Sequence, residues 1–173
     1  MTHYQLAKIV QIVGTLDSRK RLQKMVYLLQ SAGCPLEADF CLHLYGPYSQ
    51  DIANLTDELV TGNLLEETCS HNPVGHKYTY SIPKNSEASL SHFEHTTNGR
   101  LANQQIEPWV ERIKRLNSQD LWTLELASTV AFFQRTQKKD WKDAAAEASQ
   151  FKKISPKSPN MKQAMQLAKD FHS

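Results

Sequence analysis

Apolar residues at three- and four-residue intervals open the chain. Leu6, Ile9, Val10 and Val13 share one helical face, so residues 2–13 predict a first helix that stops at Gly14. Asp17 or Ser18 then caps a second helix with the apolar stripe Leu22, Met25, Val26 and Leu29, ended by Gly33. Residues 39–44 read as a short strand. Gly46 and Pro47 next predict the N-cap and first turn of a third helix, where a proline's missing N–H costs nothing. That helix buries Ile52, Leu55 and Leu59 and stops near Gly62-Asn63. Residues 64–70 and 77–82 are extended runs flanking His71-Asn72-Pro73-Val74-Gly75-His76, and Tyr78 and Tyr80 alternate with polar neighbours, which predicts a hairpin.

The second half reads as helices. Residues 86–97 form a weak polar one, broken by Asn98-Gly99, and Pro108 opens a segment carrying Trp109, Val110, Ile113 and Leu116. From Ser118 to Thr136 nearly every face is apolar, the pattern of a helix central to a core. Asp140 caps the next helix and Ser158-Pro159 opens the last, with residues 152–159 between them as the one linker-like stretch. The predicted fold class is therefore mainly α (α+β). Helix, helix, strand, helix and hairpin give a winged-helix-like region over 1–83, and a helical extension over 84–173 packs on it in one integrated domain.

The 173 residues suffice to bury a core without staples, and no apolar run approaches the roughly 20 residues of a membrane span. The N-terminus has no basic lead into an apolar stretch, so no signal peptide is expected. Cys34, Cys41 and Cys69 are an odd, unpaired set, which suggests reduced thiols and a cytoplasmic location. Net charge is only +2 but unevenly placed. Five acids and no Lys or Arg lie between Tyr45 and His76, whereas nine bases face four acids from Phe133 onward. The basic segment is either a solvated helical surface or a meeting point for an acidic partner or nucleic acid.

Two runs also carry a family resemblance. Arg19-Lys20-Arg21-Leu22-Gln23-Lys24-Met25-Val26-Tyr27, followed by His43-Leu44-Tyr45-Gly46-Pro47-Tyr48-Ser49, resembles the YwgA-like group of uncharacterised bacterial proteins. The helix Leu124-Glu125-Leu126-Ala127-Ser128-Thr129-Val130-Ala131-Phe132 looks like that group's apolar helix. More remotely, the Leu-Gln-Lys and Tyr-Gly-Pro elements are similar to the SocA-like, or Panacea, domain of antitoxins. That resemblance implies a toxin partner or, in some relatives, transcriptional regulation.

Helical geometry sets Lys20, Lys24 and Tyr27 opposite the apolar stripe of the second helix, as an outward surface for phosphate or an acidic partner. Arg19, Lys20 and Arg21 crowd its first turn, where the helix dipole disfavours each cation by about 0.3–1 kcal/mol. The alternative is that Asp17 offsets part of that cost and an acid elsewhere in the fold pairs with Arg21. Tyr45 and Tyr48 flank the Gly-Pro turn, as contact residues or as packed rings. The third helix presents Gln50, Asn54, Asp57 and Thr61, of which the two amides and the hydroxyl suit base edges. Asp57 and Glu58 repel phosphate, however, so the acidic helix suits a basic protein at least as well.

No glycine-rich phosphate loop, GxSxG elbow or paired carboxylate motif is present. His92 and His95 lack the zinc-protease spacing, and Cys69, His71 and His76 fall into no recognised pattern. The expectations are no catalytic residue, metal or cofactor, and no membrane contact. The first functional reading is a protein-binding module of a regulatory, toxin-antitoxin or defence-linked system, with a toxin or basic protein as partner. The alternative is a winged-helix DNA-binding regulator.

Overall fold

Thr2 starts α1 (His3–Val13) with a reciprocal capping box: its hydroxyl accepts from the Gln5 N–H at 3.2 Å and its own N–H donates to Gln5 Oε1 at 2.9 Å. A computed structural model describes residues 1–72 and 75–173. Gly14, at φ +74°, turns the chain into β1 (Thr15–Asp17), and Ser18 caps α2 (Arg19–Ser31). There follow β2 (Cys41–His43), β3 (Gly46–Tyr48), α3 (Gln50–Thr61), β4 (Glu66–Asn72) and β5 (Gly75–Ser81). The rest is helical: α4 (Lys84–Glu94), α5 (Thr97–Ile106), a 3-10 turn over Glu107–Trp109, α6 (Val110–Asn117), α7 (Leu121–Gln137), α8 (Trp141–Lys152) and α9 (Pro159–Asp170). The chain thus adopts the mainly helical architecture expected of it, a winged-helix-like first half followed by a helical second half.

The wing is an antiparallel sheet of order β1-β5-β4. Leu16 opposes Tyr80 across β1 and β5, and both are fully buried. β1 escaped the sequence reading because three residues are too few to show a period. The expected turn at Pro73-Val74 lies outside the described residues.

Three local expectations are corrected. Residues 39–44 are not a lone strand: Cys41–His43 pairs with Gly46–Tyr48 in a small second sheet. Gly46 and Pro47 therefore belong to β3, not to a helix start, and Ser49 caps α3 by accepting from the Ile52 N–H at 3.4 Å. Asn98-Gly99 does not break a helix but lies in the first turn of α5, and the break falls at His95-Thr96. A side chain at Gly99 would collide with the Phe93 carbonyl, so close approach of α5 to the end of α4 is what requires glycine there.

The helix α7 organises the centre. Asp120 caps it, and Leu124, Leu126, Ala127 and Val130 are completely buried. It packs on α2 and β3 of the first half and on α8 and α9 of the second. Burial of each such leucine or valine contributes about 1.5–3 kcal/mol. With Met25, Leu28 and Leu29 of α2 it forms one continuous core.

Candidate functional site

The two sequence elements quoted for the family resemblance are bonded to each other. The buried Gln23 amide brackets the backbone of Ser49, donating to its carbonyl at 2.9 Å and accepting from its N–H at 2.8 Å. One residue on, Lys24 donates to the Pro47 carbonyl at 2.6 Å. Gly46 completes the lock. Its φ is +92°, and a Cβ there would stand 2.5 Å from Thr129 Oγ1 on α7. Only glycine lets the hairpin adopt this backbone and lie so close to α7.

Lys24 and Tyr27 are thus not on an outward face, as helical periodicity suggested. Both are buried, because α7 covers the side of α2 opposite the apolar stripe. Tyr27 packs edge-on against Phe40 at 4.9 Å and against Phe132 at 6.0 Å, and burial pushes its hydroxyl up to about 12. Burial pulls the Lys24 ammonium down to about 8; the Glu125 carboxylate opposes that shift, and Lys152 and Lys20 add to it.

Glu125 is the hub of this cluster. It is 5% exposed, and its carboxylate lies 3.1 Å from Lys152 and 3.6 Å from Lys20. Each of these lysines also sits over an aromatic ring, Lys20 over Tyr45 at 4.1 Å and Lys152 over Trp122 at 5.7 Å. Three lysines around one carboxylate leave an excess of positive charge. A cavity of about 210 Å³ lies beneath the hairpin, lined by Arg19, Lys20, Lys24, Tyr45, Tyr48 and Ile52 among others. Beyond Tyr45 lies an open groove of about 520 Å³, walled by Leu44, Tyr45, Trp122, Phe151, Lys152 and Lys153 with Lys20 and Glu125. Leu44 is 70% exposed, Tyr45 47% and Trp122 36%.

The remaining expected site residues lie along α3 and the wing. Tyr48 donates to Gln50 Oε1 at 3.2 Å, and Gln50 passes a donor to Asn54 Oδ1 at 2.9 Å. The amides on the exposed face of α3 therefore bond to one another. The acid pairing expected of Arg21 falls to Arg19 instead, which reaches Asp57 at 2.8 Å and Glu67 at 2.9 Å, and whose Nε donates to the Tyr80 hydroxyl at 2.7 Å. Burial works against these charges, yet the hydrogen bonds raise the Arg19 pKa and hold Glu67 below the usual carboxylate range. Arg21 itself pairs with no acid among the described residues and donates to the carbonyls of Asn117 at 2.9 Å and Gln119 at 2.7 Å, at the end of α6, whose carbonyls want a donor.

Sequence reasoning missed Leu44, Trp122, Glu125 and Lys152. Glu125 left a signal, as a lone acid inside an almost wholly apolar helix. Lys152 ends α8 and turns inward rather than opening a linker. His92 and His95 are exposed and gather no third donor among the described residues.

A mainly helical chain with a winged-helix-like half and an ion cluster beneath its β2–β3 hairpin matches no family model. It is distantly homologous to the uncharacterized protein YwgA of Bacillus subtilis strain 168, 29% identical over 131 residues covering 76% of this chain and 74% of that protein. Among the described residues no helix is long and apolar enough to cross a membrane.

Proposed function

We propose that this chain is a non-enzymatic protein-binding module that docks its partner in the groove of Leu44, Tyr45 and Trp122. One observation carries the reading. Of the large apolar side chains left exposed among the described residues, these three converge on a single groove with lysines at its edge. Exposed aromatic anchors beside a leucine, on a rim of like charge, favour a segment with apolar anchors and acidic flanks. α3 offers no such anchor. Its exposed face carries Asp51, Asp57 and Glu58, and the one arginine beside it is tied to Asp57 and Glu67.

The remote SocA-like resemblance would make the partner a toxin, and the three free cysteines suit a reducing cytoplasm. A DNA-binding regulator fits the winged-helix-like order but has to bring acids to the phosphate backbone.

Capture with the tagged protein from its native host, with and without nuclease, tests the proposal when run beside groove variants. A stoichiometric protein should survive nuclease and be lost from Leu44→Glu and from Trp122→Ala, each weakening binding by roughly 30-fold or more as a central anchor does. It should weaken with Lys153→Glu and persist with Asp51→Lys. A partner retained by both groove variants, or recovery of DNA alone, refutes the docking face.

A further inference from the structure

The hairpin β4–β5 carries a side-chain cluster that the groove does not use. Its register opposes Glu67 to Tyr80, Cys69 to Tyr78 and His71 to His76. Strand alternation puts all six on one face of the hairpin. At the base of that face Tyr80 enters the core and Glu67 meets Arg19. Beyond the last pair of β1 with β5, Asp17 and Thr79, the hairpin continues as two strands, and Cys69, His71 and His76 are exposed.

Their donor atoms converge. One ligand atom from each of Cys69, His71 and His76 lies within 4.8 Å of the others. The Cys69 Sγ stands 3.7 Å from His76 Nδ1, and the two imidazoles are 4.4 Å apart between centroids. A tetrahedral zinc ion with bonds of about 2.3 Å to sulfur and 2.0–2.1 Å to nitrogen needs a sulfur–nitrogen separation of about 3.6 Å. The Cys69–His76 edge already has that length. Electrostatics agree, since Lys77 projects from the opposite face and pairs with Asp17 at 3.2 Å. No other lysine or arginine lies between Tyr45 and Lys77 in the sequence.

We propose that Cys69, His71 and His76 form a binding site for one zinc-class divalent ion, with thiolate and two neutral imidazoles as ligands and a fourth position open to solvent. The thiolate–imidazole set selects zinc over magnesium or calcium, which favour oxygen donors. The ion would tie the outer strand β4 to β5 where, among the described residues, no third strand pairs with them. Zinc binding there releases the Cys69 thiol proton to solvent, with no change of oxidation state.

The test is calorimetric titration of the full reduced chain with zinc chloride, paralleled by cobalt(II) spectroscopy. One ion per chain should bind, and cobalt should give a thiolate-to-metal charge-transfer band. Cys69→Ser and His76→Ala should each weaken zinc roughly tenfold or more, and Cys69→Ser should abolish the band, while the double variant His92→Ala/His95→Ala binds as the parent does. The altered side chains are exposed, so metal-free circular dichroism should match the parent. Absence of stoichiometric binding, or binding indifferent to Cys69→Ser and His76→Ala, overturns the proposal.

Discussion

Replacing Lys24 by methionine removes a charge that the fold keeps buried at 2% exposure. Burial moves this ammonium from its ordinary 10.5 to about 8, with Glu125 opposing and the neighbouring lysines assisting. Between those values the unfolded chain binds more protons than the folded one, so stability rises with pH across that window. Below about 8 both states are charged and the whole penalty is present, corresponding to about 3 kcal/mol for such a shift. Linkage places about 1 kcal/mol of its relief between pH 7 and pH 9. The methionine variant has no such term. It loses the bond to the Pro47 carbonyl, which costs about 1–3 kcal/mol, so the two proteins should be of similar stability at pH 7.

Urea unfolding followed by circular dichroism at pH 7, 8 and 9 reads the difference. Wild type should gain about 1 kcal/mol on the variant by pH 9, or about 2–4 °C in melting temperature. The Cys34 thiol works the other way. Burial raises it to about 12, so its unfolded form ionises first and stability falls above about pH 9. That contribution is common to both proteins and cancels in the comparison. Curves for the two that stay parallel within about 0.3 kcal/mol from pH 7 to 9 would refute a buried, depressed ammonium.

Three further substitutions lie in the first half of the chain, one of them a control. Gly46→Ala forces an L side chain to φ +92° and drives its Cβ against Thr129, so thermal unfolding should report a loss of about 3 kcal/mol. Gly62→Ala, where φ is −78°, should cost less than about 1 kcal/mol, and equal effects would show that the hairpin moves off α7 freely. Arg19→Met unties Glu67, whose depressed carboxyl adds stability above the ordinary carboxylate pKa and loses it as pH falls through its lower folded value. With the guanidinium side chain 44% exposed, the neutral-pH loss should be about 1 kcal/mol or less, and the variant should lose less stability than wild type between pH 5 and pH 3. Identical acid limbs in urea unfolding would count against the pairing.

What the sequence revealed was what neighbours in the chain decide. The stripe of α1 and its stop at Gly14, the caps at Asp140 and Ser158, and the apolar saturation of α7 are local signals, and the structure carries them. What it concealed was set from a distance. Thr15–Asp17 becomes a strand only because β5, more than sixty residues later, pairs with it. Lys24 and Tyr27 read as outward because one helical period marks one apolar face, whereas α7 arrives a hundred residues on to cover the other. Gly46-Pro47 has the local chemistry of a helix start, but Gln23 and Lys24 bond the Ser49 and Pro47 backbone and fix a hairpin in its place. The Cys69, His71 and His76 grouping needs the strand register, since spacing alone does not set His76 opposite His71.

The lock of Gln23 and Lys24 on Gly46, Pro47 and Ser49 also bears on what a family resemblance can carry. Its bonds run from side chain to backbone and its glycine faces α7, so these residue types preserve the seating of a hairpin whatever that hairpin meets. The chemistry at the surface lies outside the lock, in Leu44 at the hairpin tip, in Trp122 and Lys153 across the groove, and in the wing histidines. Two chains can therefore share the buried elements and present quite different surfaces. The lock nevertheless depends on the second half of the chain, because Thr129 closes on Gly46 and Glu125 holds Lys20 beside Tyr45. The helices after residue 83 thus shape the groove proposed for docking: removing α7 would release both the hairpin and one wall of the groove it overhangs.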